Sequence, residues 1–245
     1  MMLRKGQTSI ETIMSIMFVL FILVIISLFA SERSREAEGI KLRIDAKRVA
    51  SSLADNINNI AIQGPGFYRY FSLPDTLYGV TEYNLSIYRD FLEISAQNYT
   101  WTTQTVSSGI TTYCMDKGSF KRNKVFNDDD RIYIICNKPE LMYLNGTMWP
   151  ATAYVNQSIN LSISIMNFGP VGSGSFWVKY NGTTAKKIDS LGSEQTLEVP
   201  PFSFNATATP GIIPINISID WNNSIDESIE SNNNFTITLN VIQRS

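Results

Sequence analysis

Hydrophobic and polar positions alternate in three different ways along the chain. From Thr12 to Ser31 no residue is charged, and residues 13–30 are almost continuously apolar. As a helix, such a run is long enough to cross a hydrocarbon layer of about 30 Å. Past Ala30 the pattern thins to a stripe: Leu42, Ala46, Val49, Leu53, Ile57 and Ile60 recur at intervals of three and four, which places them on one face of an amphipathic helix. Between Glu11 and Gln63 only the isolated Gly39 interrupts, and then Gly64-Pro65-Gly66 stops the pattern. The two segments together predict one helix of roughly 55 residues, about 80 Å long at 1.5 Å per residue. Its first part (12–31) is apolar all round and its second (32–63) on one face.

After residue 66 the period shortens to two. Segments 83–88, 91–95, 101–106 and 131–136 alternate between turn markers such as Pro74 and Gly79, and predict an antiparallel β head over 64–137 built on the helix stripe. Pro139, Gly146 and Pro150 mark 138–150 as a linker. Beyond it, 158–166, 175–180, 195–199, 213–221 and 235–241 read as strands. Asn181-Gly182 is a hairpin turn, and Pro214 indicates an edge or a strand start. Many short strands in 151–245 predict an immunoglobulin-like sandwich. The fold class is therefore α+β: a long helix, an antiparallel head and a sandwich.

Composition narrows the function. A formal charge of −2 with no recurrent basic face gives no reason to expect nucleic acid. With no histidine, His-based acid–base and nucleophilic catalysis drop out, together with most zinc sites. No catalytic constellation, metal site or cofactor is expected. Cys114 and Cys136 lie 22 apart; in an exported chain an even pair reads as one disulfide, in a cytosolic chain as two buried thiols. Ten N-x-Ser/Thr sequons occur, at Asn84, Asn98, Asn145, Asn156, Asn160, Asn181, Asn205, Asn216, Asn222 and Asn234. Composition alone would produce about four, so an extracellular, glycosylated surface is favoured. The acidic run NDDDR (127–131) reads as a solvated hairpin tip. In DWNNSIDESIESNN, from Asp220, the side chains are expected to bond the loop's own backbone. Calcium at Asp220, Asp226, Glu227 or Glu230 is the alternative.

The N-terminal segment holds a further oddity. Arg4 and Lys5 are followed by Gly6-Gln7, Ser9 and Glu11 immediately before the apolar run. A carboxylate at that depth is disfavoured by lipid. A secretory signal cut near Ala30, or a permanent anchor, leaves Glu11 unexplained. In these residues the chain resembles the type IV pilin superfamily, specifically archaeal pilins with a class III signal peptide, whose mature chains begin Gln-x-Ser-x-Glu. The resemblance implies a leader (1–6) removed by a prepilin peptidase between Gly6 and Gln7. It assigns Gln7, Ser9 and Glu11 to assembly, and the helix to a filament core with the head carried on its second half.

The C-terminal region is similar to the CARDB family, a cell-adhesion-related module of microbial surface proteins. The likeness rests on the Asn167-Phe168-Gly169 turn, the Ser190-Leu191-Gly192 turn, and the stretch carrying Asp220, Ile225, Glu227, Glu230, Asn232 and Asn233. Together the two resemblances imply a non-enzymatic structural subunit, major or minor, of a pilus-like filament. Its expected partners are copies of itself or other pilins, the membrane peptidase and assembly machinery, and a surface or glycan ligand. The alternative is a membrane-anchored surface binding protein that never polymerises.

Overall fold

A computed structural model describes residues 3–106 and 109–244, with side chains from Glu11 onward. Helix α1 spans Leu3–Gln63, 61 residues without a break, or about 90 Å at the α-helical rise. Gly39 does not interrupt it. The helix ends where Gly64 and Gly66 adopt φ of +88° and +85°, a left-handed backbone that side-chain-bearing residues resist.

The two parts of α1 have different surroundings. Residues on every side of the first part are exposed, including Phe18 (65%), Phe21 (62%) and Phe29 (64%). In the second part all six stripe residues are buried, and Ala50 and Ala54 join them. They form one core with Leu73, Leu77, Tyr83, Leu92, Ile94, Val125, Ile132 and Ile134 of the head. Full burial of such aliphatic side chains contributes about 1.5–3 kcal/mol each, so this part of α1 is integral to the head.

Seven strands make the head: β1 (Tyr68–Phe71), β2 (Asn84–Ile87), β3 (Phe91–Ala96), β4 (Tyr99–Gln104), β5 (Ile110–Thr112), β6 (Asn123–Asp128) and β7 (Arg131–Ile135). They form a sheet ordered β1-β6-β7-β5 and a second ordered β2-β3-β4. Asp129 and Asp130, with φ of 48° and 61°, turn β6 into β7, so residues 128–131 of NDDDR form the expected exposed hairpin tip, while Asn127 is buried in β6.

The expected all-antiparallel head needs one correction, because β5 pairs with β7 in parallel. The cause is covalent as well as hydrogen-bonded. Cys114 follows β5, Cys136 follows β7, and the two are joined in a disulfide with Cα atoms 5.1 Å apart. Strands whose C-terminal ends are tied together must run the same way. Tyr113 N–H also donates to the Ile134 carbonyl, continuing the pairing towards the bridge.

The C-terminal sandwich comprises β8 (Leu141–Trp149), β9 (Thr152–Tyr154), β10 (Ser158–Asn167), β11 (Phe176–Tyr180), β12 (Thr184–Ile188), β13 (Thr196–Asn205), β14 (Gly211–Ile219) and β15 (Asn234–Ile242). One sheet is ordered β13-β10-β8, the other β12-β11-β14-β15-β9. Between them lies a core that includes Ile159, Leu161, Ile163, Ile165, Phe176, Val178, Ile217 and Ile219. The linker expected at 138–150 is not one, since most of it is β8, paired along β10. Pro139 and Pro150 lie outside that strand, and Gly146 sits within it on a sheet edge. At Gly146 the Tyr143 hydroxyl lies 3.1 Å from where a Cβ would be. The strand expected at 195–199 runs on to Asn205, crossing Pro200-Pro201 at a break in register opposite Ser162. An edge strand tolerates prolines at such a point. Pro214 likewise lies where β14 is paired with β15 but not with β11.

Candidate functional site

Three places carry the expected or unexpected polar chemistry. The first is the N-terminal end of α1. Gly6, Gln7 and Ser9 lie in helical backbone, but the side chains of Gln7 and Ser9, like Met1 and Met2 of the expected leader, are outside what the structure describes. Glu11 is exposed, with its carbonyl accepting from the Ser15 hydroxyl (2.9 Å). From Glu11 onward the helix is long and apolar enough to cross a membrane.

The second place joins head to sandwich, and sequence patterning missed most of it. Lys124, on β6, is fully buried. Its ammonium donates to the Phe168 carbonyl and to Glu194 Oε1, both at 2.9 Å, and lies 3.3 Å from the centroid of the Phe168 ring. The Tyr68 and Tyr70 hydroxyls each donate to Glu194 at 2.6 Å. Burial pushes the Lys124 ammonium below its usual value, against the pull of Glu194. Burial also acts to raise Glu194, but the two tyrosine hydroxyls and Lys124 outweigh it and hold the carboxyl below the ordinary range. A buried cation needs partners of this kind.

The Asn167-Phe168-Gly169 turn is the sandwich half of that joint. Asn167 is buried with its amide fully engaged: Oδ1 accepts from the N–H groups of Glu140 and Gly169, while Nδ2 donates to the carbonyls of Val171 and Leu191. Phe168 meets Tyr68 and Phe126 edge-on. Gly169 approaches the entering chain so closely that a Cβ there would lie 2.4 Å from the Lys138 carbonyl oxygen. One tripeptide therefore stitches its own domain, docks on the other, and permits the contact.

The third place is the acidic loop between β14 and β15. Asp220 accepts from Ser224 N–H and Oγ–H and from Ile225 N–H. Glu227 is buried and takes Leu141 N–H at 2.6 Å and Asn233 Nδ2 at 2.8 Å. Glu230 accepts from Glu227 N–H, and Asp226 is exposed beside Lys138. The loop thus bonds largely to backbone, its own and that of β8. Glu140, unanticipated, faces it from the start of β8 and accepts from Ile229 N–H and Asn232 Nδ2. Burial pushes Glu140 up to about 8, with the Glu227 charge adding to it, and pushes Glu227 up to about 7. Among the described residues no group of three or more Cys, Asp and Glu is arranged to hold a metal ion.

All ten sequon asparagines are exposed. Eight of them lie at 145–234; of the other two, Asn84 is in β2 and Asn98 in the turn between β3 and β4.

The family match falls on the second β unit. No curated protein matches the chain. Among solved structures, the chain is similar to the CARDB domain of a Pyrococcus furiosus protein crystallised in complex with di-metal ions: 27% identity over 44% of this chain and 96% of that one, TM-score 0.35. It is also similar to a domain of a candidate cell-surface protein from Methanosarcina acetivorans solved by NMR: 26% identity, 44% and 95% coverage, TM-score 0.37. The CARDB family profile matches residues 138–237, a span that takes in β8, Glu140 and both diagnostic turns, and that stretch of the chain is a CARDB domain.

Proposed function

We propose that the chain is a structural subunit of a type IV pilus-like surface filament of the archaeal kind. Cleavage between Gly6 and Gln7 leaves the apolar helix on the mature chain. The helix then moves from the membrane into a filament core, with the head and the CARDB domain facing outward as an interaction module.

One observation carries the reading. A single unbroken helix presents apolar side chains in every direction over its first part and supplies the core of its own head over its second. A secretory signal cut near Ala30 would sever that helix in mid-course. An exposed apolar surface of this size demands lipid or protein around it. Copies of the same segment provide protein of matching length once the subunit leaves the bilayer.

Glu11 then has a role. Beside the new amino group at Gln7, it compensates a charge that would cost several kcal/mol alone in a low-dielectric bundle. Replacing Glu11 by Ala or Val is expected to leave export intact and sharply reduce filament yield, read by electron microscopy of sheared surface fractions. Wild-type yield from both variants would contradict the assignment.

A further inference from the structure

The sequons support an inference that their number alone does not. On a half-exposed strand, outward positions alternate, so an Asn- and Ser/Thr-rich strand generates N-x-Ser/Thr by patterning alone. Patterning has no direction: it yields Ser/Thr-x-Asn as readily. The reversed motif occurs four times, at Ser158/Asn160, Ser203/Asn205, Ser231/Asn233 and Thr238/Asn240, whereas the forward motif occurs ten times, never with proline between. Only a reader of chain direction distinguishes the two.

Side-chain environment separates the asparagines in the same way. Every sequon asparagine is exposed, the loop and turn sites Asn98, Asn156, Asn181 and Asn222 included. Of the eleven others only Asn59, Asn223 and Asn240 are. The amide nitrogens differ too. Asn56, Asn123, Asn127, Asn167, Asn232 and Asn233 each donate Nδ2 to a protein acceptor. Apart from Asn181, whose side-chain amide also donates to the Tyr180 hydroxyl, no sequon asparagine donates Nδ2 to another described residue. The other bonds of the sequon side chains use the oxygen. Asn160 accepts from Ser203, Asn181 from Asn216 N–H, Asn216 from Thr236 and Asn234 from Ser218. At Asn160, Asn216 and Asn234 no described residue engages the nitrogen that would carry a glycan.

We propose that these ten asparagines are N-glycosylation sites and that the CARDB domain is the glycan-bearing module. Eight sites lie in 138–237, on both sheets and the loops of the sandwich. Neither α1 nor the β1-β6-β7-β5 sheet of the head carries one. Glycans at these positions cover the sandwich and leave the helix and that sheet bare for contact between subunits. In the modification, Nδ2 bonds to the anomeric carbon of a lipid-phosphate-linked saccharide as the bond from that carbon to the phosphate oxygen breaks. The lipid phosphate leaves with the electron pair, and the Nδ2 proton passes to a base. The inference rests on the surface location proposed above, since such donors act outside the cytoplasmic face.

The test is glycopeptide and intact-mass spectrometry of the full chain from its native cells, beside protease shaving of intact cells. Expected are glycan masses on the sandwich sequons and none on Asn59, Asn223 or Asn240. Asn240 is the sharpest control, being exposed but with its threonine on the wrong side. Thr183→Ala keeps the Asn181 hydrogen bond and removes the sequon, so it should lose one glycan mass with the fold unchanged. Bare sequons on a chain that shaving releases would overturn the inference while leaving the surface location standing. Bare sequons on a protected chain would overturn both, and modification of Asn240 would overturn the role given to the motif.

Discussion

The two halves of α1 are one helix with two fates. Around residues 13–30 the side chains are apolar on all sides and meet no other described element of the subunit; around 42–60 they are apolar on one side and meet the head. Hydrophobicity is the driving force in both. Angular distribution decides the partner: a stripe can be satisfied by one folded unit, whereas a full cylinder needs lipid or several neighbouring helices.

Paired truncations should break or sharpen that contrast. Leu53→Ala leaves a cavity in the head core and should destabilise it by about 2–5 kcal/mol. Phe21→Ala should stay within about 0.5 kcal/mol, like a surface change. Thermal unfolding of the full chain in detergent micelles, followed by circular dichroism, measures both. Equal losses would mean that the first half is also packed within the subunit.

Next in size is the disulfide, which closes 22 residues in the head. Chain-entropy reasoning gives on the order of 3 kcal/mol for such a loop. A Cys114→Ser/Cys136→Ser double variant should lower the unfolding temperature of the head while residues 13–30 keep their helicity.

Gly169→Ala forces a Cβ against the Lys138–Glu140 backbone and should cost about 1–3 kcal/mol. The effect belongs at the joint between domains, read as faster proteolysis there, with hydrogen exchange across 42–60 little changed.

The smallest effect is a pH dependence confined to the sandwich. Glu140 and Glu227 are raised to about 8 and about 7, above the usual carboxylate value near 4.3. The folded state therefore binds more protons than the unfolded one between those limits. The contribution is fully present below the unfolded value and is lost as pH rises through 7 to 8. Unfolding temperature of the sandwich should fall between pH 5 and 8, and less so in a Glu140→Gln/Glu227→Gln variant.

Where the sequence could be read, periodicity was the reason. The six stripe residues of α1 and the inward Ile159, Leu161, Ile163 and Ile165 of β10 follow from spacing alone, and each is buried. Strand β6 hides because Asn123, Lys124 and Asn127 are buried polar residues, and the partners of Lys124 and Asn127 are distant in sequence. Strand β8 hides behind Gly146 and two flanking prolines. In the junction, Lys124 and Glu194 are 70 residues apart, and no local pattern links them. Likewise Glu140 is an ordinary surface residue in sequence until the fold brings Ile229 and Asn232 to it.

The central claim, that α1 is a filament helix retained after removal of a short leader, meets its most direct test at the N-terminus of the mature chain. Mass spectrometry of N-terminal peptides from surface-sheared material should find chains beginning at Gln7. An intact Met1, or a start near Ser31, would contradict the account.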